Sequence, residues 1–171
     1  MSDDTAAAIS ATRKDWGMEH RARYLETQGA RGHIEDLTPV GGHPFSTHLL
    51  IKYKGRKSGK VFITGLCYGL VAGEVVIVAS KGGADTHPDW YLNLCEMPEF
   101  EFQIGAEAFR ATWREPAGAE REKIWAHMVD NFPFYANYQQ STDRIIPLVV
   151  MKAVAPVPAF RAEDATGIRP S

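Results

Sequence analysis

The chain has 171 residues, 44% of them hydrophobic and 23% charged, which is enough for one ordinary core and too few for two comfortable domains. A formal net charge of −2 argues against a general nucleic-acid binder, whose domains usually carry a pI above about 9. Two cysteines, Cys67 and Cys95, give neither a disulfide framework nor a zinc spacing and fit a reducing, cytoplasmic setting.

The start, Met1-Ser2-Asp3-Asp4, is acidic where a secretory signal would be basic, and no apolar run reaches a membrane span of about 18 residues. No transmembrane segment is expected, which leaves peripheral contact with a membrane surface open. From Thr5 to Gln28, Ile9, Trp16, Ala22, Tyr24 and Leu25 recur among charges and Gly29 follows, predicting an N-terminal helix. Gly32, Pro39, Gly41, Gly42 and Pro44 then break any period, so 1–45 reads as a helix and a loop feeding a first strand, Ser46 to Tyr53.

Two β-rich runs, Val61 to Leu70 and Glu74 to Ser80, flank the hairpin signal Val71-Ala72-Gly73. His87-Pro88 opens a short helix that Met97-Pro98 closes. Glu99 to Ile104 and Ala108 to Trp113 form a further hairpin. A helix from Pro116 to about Asn131 puts Ile124, Trp125, Met128, Val129 and Phe132 on one side, to cap the sheet. Ile145 to Val154 reads as the last strand, with Pro147 tolerated at its start or at an edge. Prolines and sparse apolar content predict a loose tail over 155–171. About six strands and the helices between them predict an antiparallel α+β fold, its main unit spanning 46–154, and closure into a small barrel would remove the sheet edges.

The richest stretch is Lys54-Gly55-Arg56-Lys57-Ser58-Gly59-Lys60, between two strands. Its cations suit a phosphate or carboxylate tail, since charge-assisted hydrogen bonds contribute roughly 1.5–3 kcal/mol each, and its glycines let backbone N–H groups converge on an anion. It is not a nucleotide P-loop, because only three residues separate Gly55 from Gly59 and a strand follows. The plain alternative is a solvated, lysine-rich hairpin turn. Ala79-Ser80-Lys81-Gly82-Gly83 ends another strand with a second basic glycine turn, and two such turns at adjacent strand ends can face one ligand.

Trp90, Tyr91 and Leu94, at helical spacing, serve either as core or as a wall for a planar ring. In Phe132-Pro133-Phe134-Tyr135-Ala136-Asn137-Tyr138, the two tyrosines lie three apart, so a helical turn aims both the same way, as a ligand wall or a structural lid. His43, His48 and His87 show no ligand spacing, so no metal is expected. No Gly-x-Ser-x-Gly elbow is present, and Cys67, inside a strand, reads as packed.

In order and at family-like spacings, Gly55-Arg56-Lys57-Ser58-Gly59, Ala79-Ser80-Lys81-Gly82-Gly83, Pro88-x-Trp90-Tyr91-x-Asn93, Tyr135-x-x-Tyr138 and Ile146-Pro147 resemble the deazaflavin-dependent nitroreductase and quinone reductase family. The likeness covers roughly residues 46–154. It implies an antiparallel split β-barrel and hydride transfer from reduced coenzyme F-420 to an electron-poor small molecule: a quinone, a nitroaromatic compound, or an activated enone or unsaturated lactone such as a coumarin. That coenzyme carries a phosphate and a polyglutamate tail, which Arg56, Lys57 and Ser58 would grip. The five cations from Lys52 to Lys60 favour it over FMN, the runner-up.

By the same resemblance, Phe62, Ile63, Thr64, Gly65, Leu66 and Cys67, with Val78, Ala79, Ser80 and Lys81, would run along the deazaflavin. Asp89, Trp90, Tyr91, Leu92, Asn93 and Tyr135 would complete the wall. Catalytic roles would fall to Ser80, donating a hydrogen bond to the acceptor, and to Tyr135 and Tyr138, positioning it or relaying a proton. Three departures stand out: Phe62 where the family commonly has arginine, Gly65 and Cys67 where it often has proline and tyrosine, and Phe132 where it often has tyrosine. The first removes one cation from tail binding, and cofactor binding survives the three changes more easily than acceptor identity does. Outside this family, the turn and aromatics would suit a cofactor carrier without catalysis or a single-stranded nucleic-acid binder, which the acidic balance disfavours. The enzyme would act on its small-molecule acceptor as a monomer or homodimer.

Overall fold

The computed structural model describes residues 3–167, with side chains from Asp15 onward. In chain order it holds α1 (Asp3–Thr27), β1 (Ile34–Glu35), β2 (Ser46–Lys54), β3 (Val61–Cys67), β4 (Gly69–Val71), β5 (Glu74–Val78), α2 (Asp89–Glu96), β6 (Phe100–Ile104), β7 (Glu107–Arg114), α3 (Gly118–Asn131), α4 (Phe134–Gln140) and β8 (Leu148–Val157). Short 3₁₀ turns lie at Thr38–Val40, Lys81–Gly83 and Ala162–Asp164. All strand pairs are antiparallel, in the order β1-β2-β6-β7-β8-β5-β4, with β3 also on β2.

The connection from β3 to β4 shapes the barrel. β3 ladders with β2 along Val61–Cys67, and after Tyr68 the same run becomes β4 and ladders with β5, Gly69 opposite Val76. The expected run Val61 to Leu70 is thus one bent strand with two partners, and only its last residues join the hairpin through Ala72 and Gly73, both at positive φ. Continued in register, Cys67 would oppose Val78 and Gly65 would oppose Ser80. No ladder forms there. The sheet is therefore closed at Gly69 and splits toward the start of β3 and the end of β5, the antiparallel split barrel expected from the sequence.

Because the strands are covered on both faces, their alternating residues feed different cores. Leu49, Ile51 and Tyr53 of β2 point into the barrel with Phe62, Ile77, Val149, Met151 and the α2 residues Trp90, Tyr91 and Leu94. On the outer face, Val76, Val78, Leu148 and Val150 pack against Ile124, Met128 and Phe132 of α3 and its C-cap and against Tyr135 of α4, so α3 caps the sheet as its periodicity predicts. A third cluster joins α1 to the barrel through Tyr24, Leu50, Ile63, Ala108 and Phe160. Full burial of such side chains contributes roughly 1.5–3 kcal/mol each.

The C-terminal stretch departs from expectation. β8 begins at Leu148 and continues past Ala155 to Val157, while Pro147, outside the ladder, accepts the Ala79 N–H at 2.9 Å. Through Gly167 the chain is packed: Phe160 is 2% exposed, and Thr166 donates its N–H to the Val61 carbonyl at 2.9 Å while its Oγ1 accepts the Val61 N–H at 2.8 Å. Composition signals a loose tail, but one buried aromatic and one added pair of edge bonds hold it. Residues 168–171 lie outside the described residues.

Candidate active site

The basic turn sits where β2 passes into β3. The Gly55 N–H donates to the Lys60 carbonyl at 2.8 Å and the Gly59 N–H to the Gly55 carbonyl at 2.9 Å, with Gly59 left-handed at φ 68. Lys54, Lys57, Ser58 and Lys60 are exposed, and among the described residues none of the turn's cations has a carboxylate partner. Lys52 does not belong with them. Its Nζ lies 2.8 Å from Glu101 and 3.5 Å from Asp164, and 4.6 Å above the Phe160 ring, so the five-cation neighbourhood reduces to four.

Asn93 ties this turn to α2. Both the Arg56 N–H and Arg56 Nη1 donate to its Oδ1 at 2.9 Å, which fixes the amide orientation. Its Nδ2 is buried without a partner, in a side chain only 1% exposed. A buried donor without an acceptor costs on the order of 1–3 kcal/mol, and this one lies beside cations that have no counter-charge.

At the other lip of the split, Ser80 is right-handed and Lys81, Gly82 and Gly83 follow at φ 47, 64 and 84. Such a succession turns neighbouring N–H groups to one side, a concavity suited to an acceptor or anion. A Cβ on Gly83 would collide with Ser141 Oγ and come within 2.9 Å of Tyr138 Cα, so glycine alone permits α4 to come this close. Arg144, in the link from α4 to β8, donates to the carbonyls of Ala79, Ser80 and Ala84 and to His87 Nδ1 at 2.7–3.2 Å.

Beyond Cys67 lies a buried aromatic and histidine cluster. His48, cross-strand from Cys67, donates from Nδ1 to the Ser46 carbonyl at 3.0 Å, so its Nε2 accepts the Cys67 thiol at 3.3 Å. Its ring lies 4.9 Å from that of His20, on which Trp16 stacks at 5.0 Å. Burial, with His20 beside it, pushes His48 down to about 4, and burial lowers His20 and His33 as well. Burial pushes the Cys67 thiol up to about 12 and raises the Tyr135 hydroxyl well above its ordinary value. Both stay protonated at neutral pH.

The structure divides the expected site residues into those whose side chains border the split and those that reach it by backbone only. Phe62, Trp90 and Tyr91 belong to the barrel core, Ile63 to the α1 cluster and Val78 to the outer core. Leu66 packs against the barrel core, and Thr64 Oγ1 lies 3.1 Å from the Tyr53 hydroxyl. Ala79 is buried, Asp89 is exposed at the start of α2, Leu92 is half-buried, and Lys81 donates to Thr86 Oγ1 at 3.0 Å. A Cβ on Gly65 would come within 2.7 Å of His20 Nδ1. Tyr135 and Tyr138 have ring centroids 6.1 Å apart, but Tyr135 is buried in the outer core while Tyr138 is half-exposed. Of the histidines, His43 donates from Nε2 to the Asp130 carbonyl of α3 at 2.8 Å, a tie between the loop before β2 and the end of that helix. Sequence reasoning missed Trp16, His20, His48 and Arg144 as site residues: Trp16 and His20, one turn apart on α1, meet His48 of β2 only when the helix packs on the barrel, and Arg144 meets its partners across some sixty residues. Among the described residues no group of His, Cys, Asp and Glu could hold a metal, and no helix is long and apolar enough to cross a membrane.

A family model described as F-420H(2)-dependent quinone reductase matches residues 19–153. The chain is similar to an F-420H(2)-dependent quinone reductase of Mycobacterium tuberculosis, 35% identical over 135 residues, which are 77% of this chain and 86% of that protein. Among solved structures it is similar to an F-420-H2-dependent reductase, with 39% identity, a TM-score of 0.56 and coverage of 61% of this chain and 93% of that one. It is also similar to a chain described as a domain-swapped dimer, with 33% identity, a TM-score of 0.59 and coverage of 82% and 99%. With the split barrel, the uncompensated basic turn and the matched span in hand, this chain belongs to the F-420H(2)-dependent quinone reductase family, oxidoreductases whose cofactor is coenzyme F-420.

Proposed function

We propose that this protein binds reduced coenzyme F-420 in the split between β3 and β5 and uses it to reduce a quinone, with nitroaromatic compounds and activated enones or unsaturated lactones as further acceptors. The observation that carries the reading is the unmade ladder between Thr64–Cys67 and Val78–Ser80, a slot bordered by strand edges. Backbone groups along such an edge suit the carbonyls and ring nitrogens of a flat heterocycle. The residues present fit the rest of the cofactor. Arg56, Lys57, Ser58 and Lys60 meet a phosphate and polyglutamate tail, and the orphaned Asn93 Nδ2 meets an acceptor oxygen beside them. The single phosphate of FMN would leave most of those cations uncompensated.

When bound, the reduced deazaflavin supplies the hydride. The chain supplies placement. Ser80 offers its hydroxyl to the acceptor from one lip, and Tyr138 offers a half-exposed hydroxyl from α4. Tyr135 and Cys67, both held protonated, shape the pocket and donate rather than act as bases. Holding donor and acceptor face to face is the larger contribution, since orientation alone removes on the order of 7–11 kcal/mol from a bimolecular barrier.

The test is a fluorescence titration of the purified protein with coenzyme F-420 and with FMN, followed by turnover of the reduced coenzyme with a naphthoquinone, a nitroaromatic compound and a coumarin. Binding of the deazaflavin and its oxidation by the naphthoquinone are expected. Binding of FMN alone would sink the cofactor assignment, and a bound coenzyme that no quinone oxidises would sink the reaction.

A further inference from the structure

Arg144 donates four hydrogen bonds: Nε to the Ala84 carbonyl at 2.7 Å, Nη1 to the Ala79 carbonyl at 3.2 Å and to His87 Nδ1 at 3.0 Å, and Nη2 to the Ser80 carbonyl at 2.7 Å. Its own backbone is fixed to α4, because Gln139 Nε2 donates to the Arg144 carbonyl at 2.7 Å and Gln139 Oε1 accepts the Ile146 N–H at 3.0 Å. Beside it, Ser141 Oγ donates to the Gly83 carbonyl at 2.9 Å. One guanidinium therefore ties the exit of β5, the left-handed turn and the entry to α2 to the helix that carries Tyr135 and Tyr138.

Peptide geometry gives this clamp a direction. In a trans peptide the C=O of one residue and the N–H of the next point opposite ways, and no cis bond is present among the described residues. Drawing the Ala79 and Ser80 carbonyls onto Arg144 therefore turns the Ser80 and Lys81 N–H groups away from it, and neither has a partner among the described residues. Lys81 is held in the left-handed region at φ 47, which a side chain disfavours. The guanidinium bonds carbonyls rather than a carboxylate: none lies within ion-pair distance of Arg144 among the described residues, and Asp85 acts on it only through space. With its donors committed to carbonyls and an imidazole, the guanidinium has little left for a ligand anion.

We infer that Arg144 is a positioning residue for hydride transfer: it aims the Ser80 and Lys81 amides at the cofactor slot and sets the gap between Ser80 and Tyr138. The inference rests on the proposed deazaflavin site. It separates two properties that a purely structural residue would move together. The tail clamp around Arg56 does not touch Arg144, so losing the clamp should spoil alignment while the cofactor stays bound.

The experiment compares wild type, Arg144→Ala, Arg144→Lys and Arg121→Ala in three measurements: melting temperature, affinity for coenzyme F-420, and the single-turnover rate of oxidation of the bound reduced coenzyme by a naphthoquinone. Arg121 is the control, because its Nη2 also bonds a backbone carbonyl in the same link, Ile146 at 2.8 Å, without touching the Ser80 turn. Arg144→Ala should slow the single turnover about 10- to 100-fold while cofactor affinity changes less than about threefold. Arg144→Lys keeps the charge but cannot span the three carbonyls, so it should be slowed as well, and it decides the matter if the alanine variant does not fold. Arg121→Ala should lower the melting temperature and leave the rate intact. A wild-type rate in Arg144→Lys, or an equal slowing in Arg121→Ala, would overturn the inference. If the wild type neither binds the coenzyme nor turns over, the proposed function has failed instead.

Discussion

The two ends of the split are built from the same residue types and treat them in opposite ways. At the tail end, Arg56 shares one acceptor with its own backbone and its neighbouring lysines reach into solvent with no carboxylate beside them. At the ring end, Arg144 commits four of its five donors to fixed groups of the chain, the Gly83 approach is closed by Ser141, and the nearby histidines are neutral. Cations left uncompensated at a surface attract a mobile anion. Cations spent on carbonyls fix a geometry. The contrast separates holding a cofactor from aligning it, on a barrel that offers both through strand edges a few residues apart.

The sharpest way to break that contrast is at the tail end. Arg56→Ala with Lys57→Ala removes two charge-assisted contacts, so affinity for coenzyme F-420 should fall by roughly two orders of magnitude or more while the melting temperature hardly moves. Unchanged affinity in the titration would return the turn to a solvated hairpin. An acid titration addresses the ring end. His48 has its ordinary value of 6.5 when unfolded and about 4 when folded, so the unfolded state binds more protons between them. The stability that His48 contributes is fully present above pH 6.5 and is lost as pH falls toward 4, at most about 3 kcal/mol. Denaturant melts at pH 7 and pH 5 should show it, and His48→Gln should flatten the slope; an equal slope in that variant would rule the histidine out. The smallest effect belongs to Lys52→Met, which should leave cofactor affinity within about twofold, because its charge is already held by Glu101 and Asp164. A loss matching the tail-end double variant would mean that the five cations act together after all.

Much of the fold was legible because it is written in short-range signals. Ala72-Gly73 and Gly105-Ala106 mark hairpins by the chemistry of their turns, and the α3 stripe by its period. The site was legible where charge density was local, as in the basic turn. What escaped was whatever depends on topology. The bent strand through Tyr68 has no sequence marker, since its two halves share one apolar pattern and differ only in partner. His20, His33 and His48 carry no spacing rule, and a helix and two turns of chain bring them together. Arg144 is a lone arginine in a loop, and nothing beside it announces that its carbonyl partners lie some sixty residues upstream. In α2 the helical spacing of Trp90 and Tyr91 left core and ligand wall both open, and the packing puts both rings in the barrel core.

The place of β8 in the sheet also bears on how the chain is made. It is synthesised after every other described strand of the sheet and it lies between β7 and β5, ladders running down both of its sides. Until it arrives, the nascent chain holds two partial sheets with apolar edges facing a missing neighbour, and the lips of the slot cannot be brought into register. Such edges are the surfaces on which incomplete β-proteins aggregate. Addition of β8, rather than growth of the earlier hairpins, is thus the step that joins the two partial sheets into one barrel.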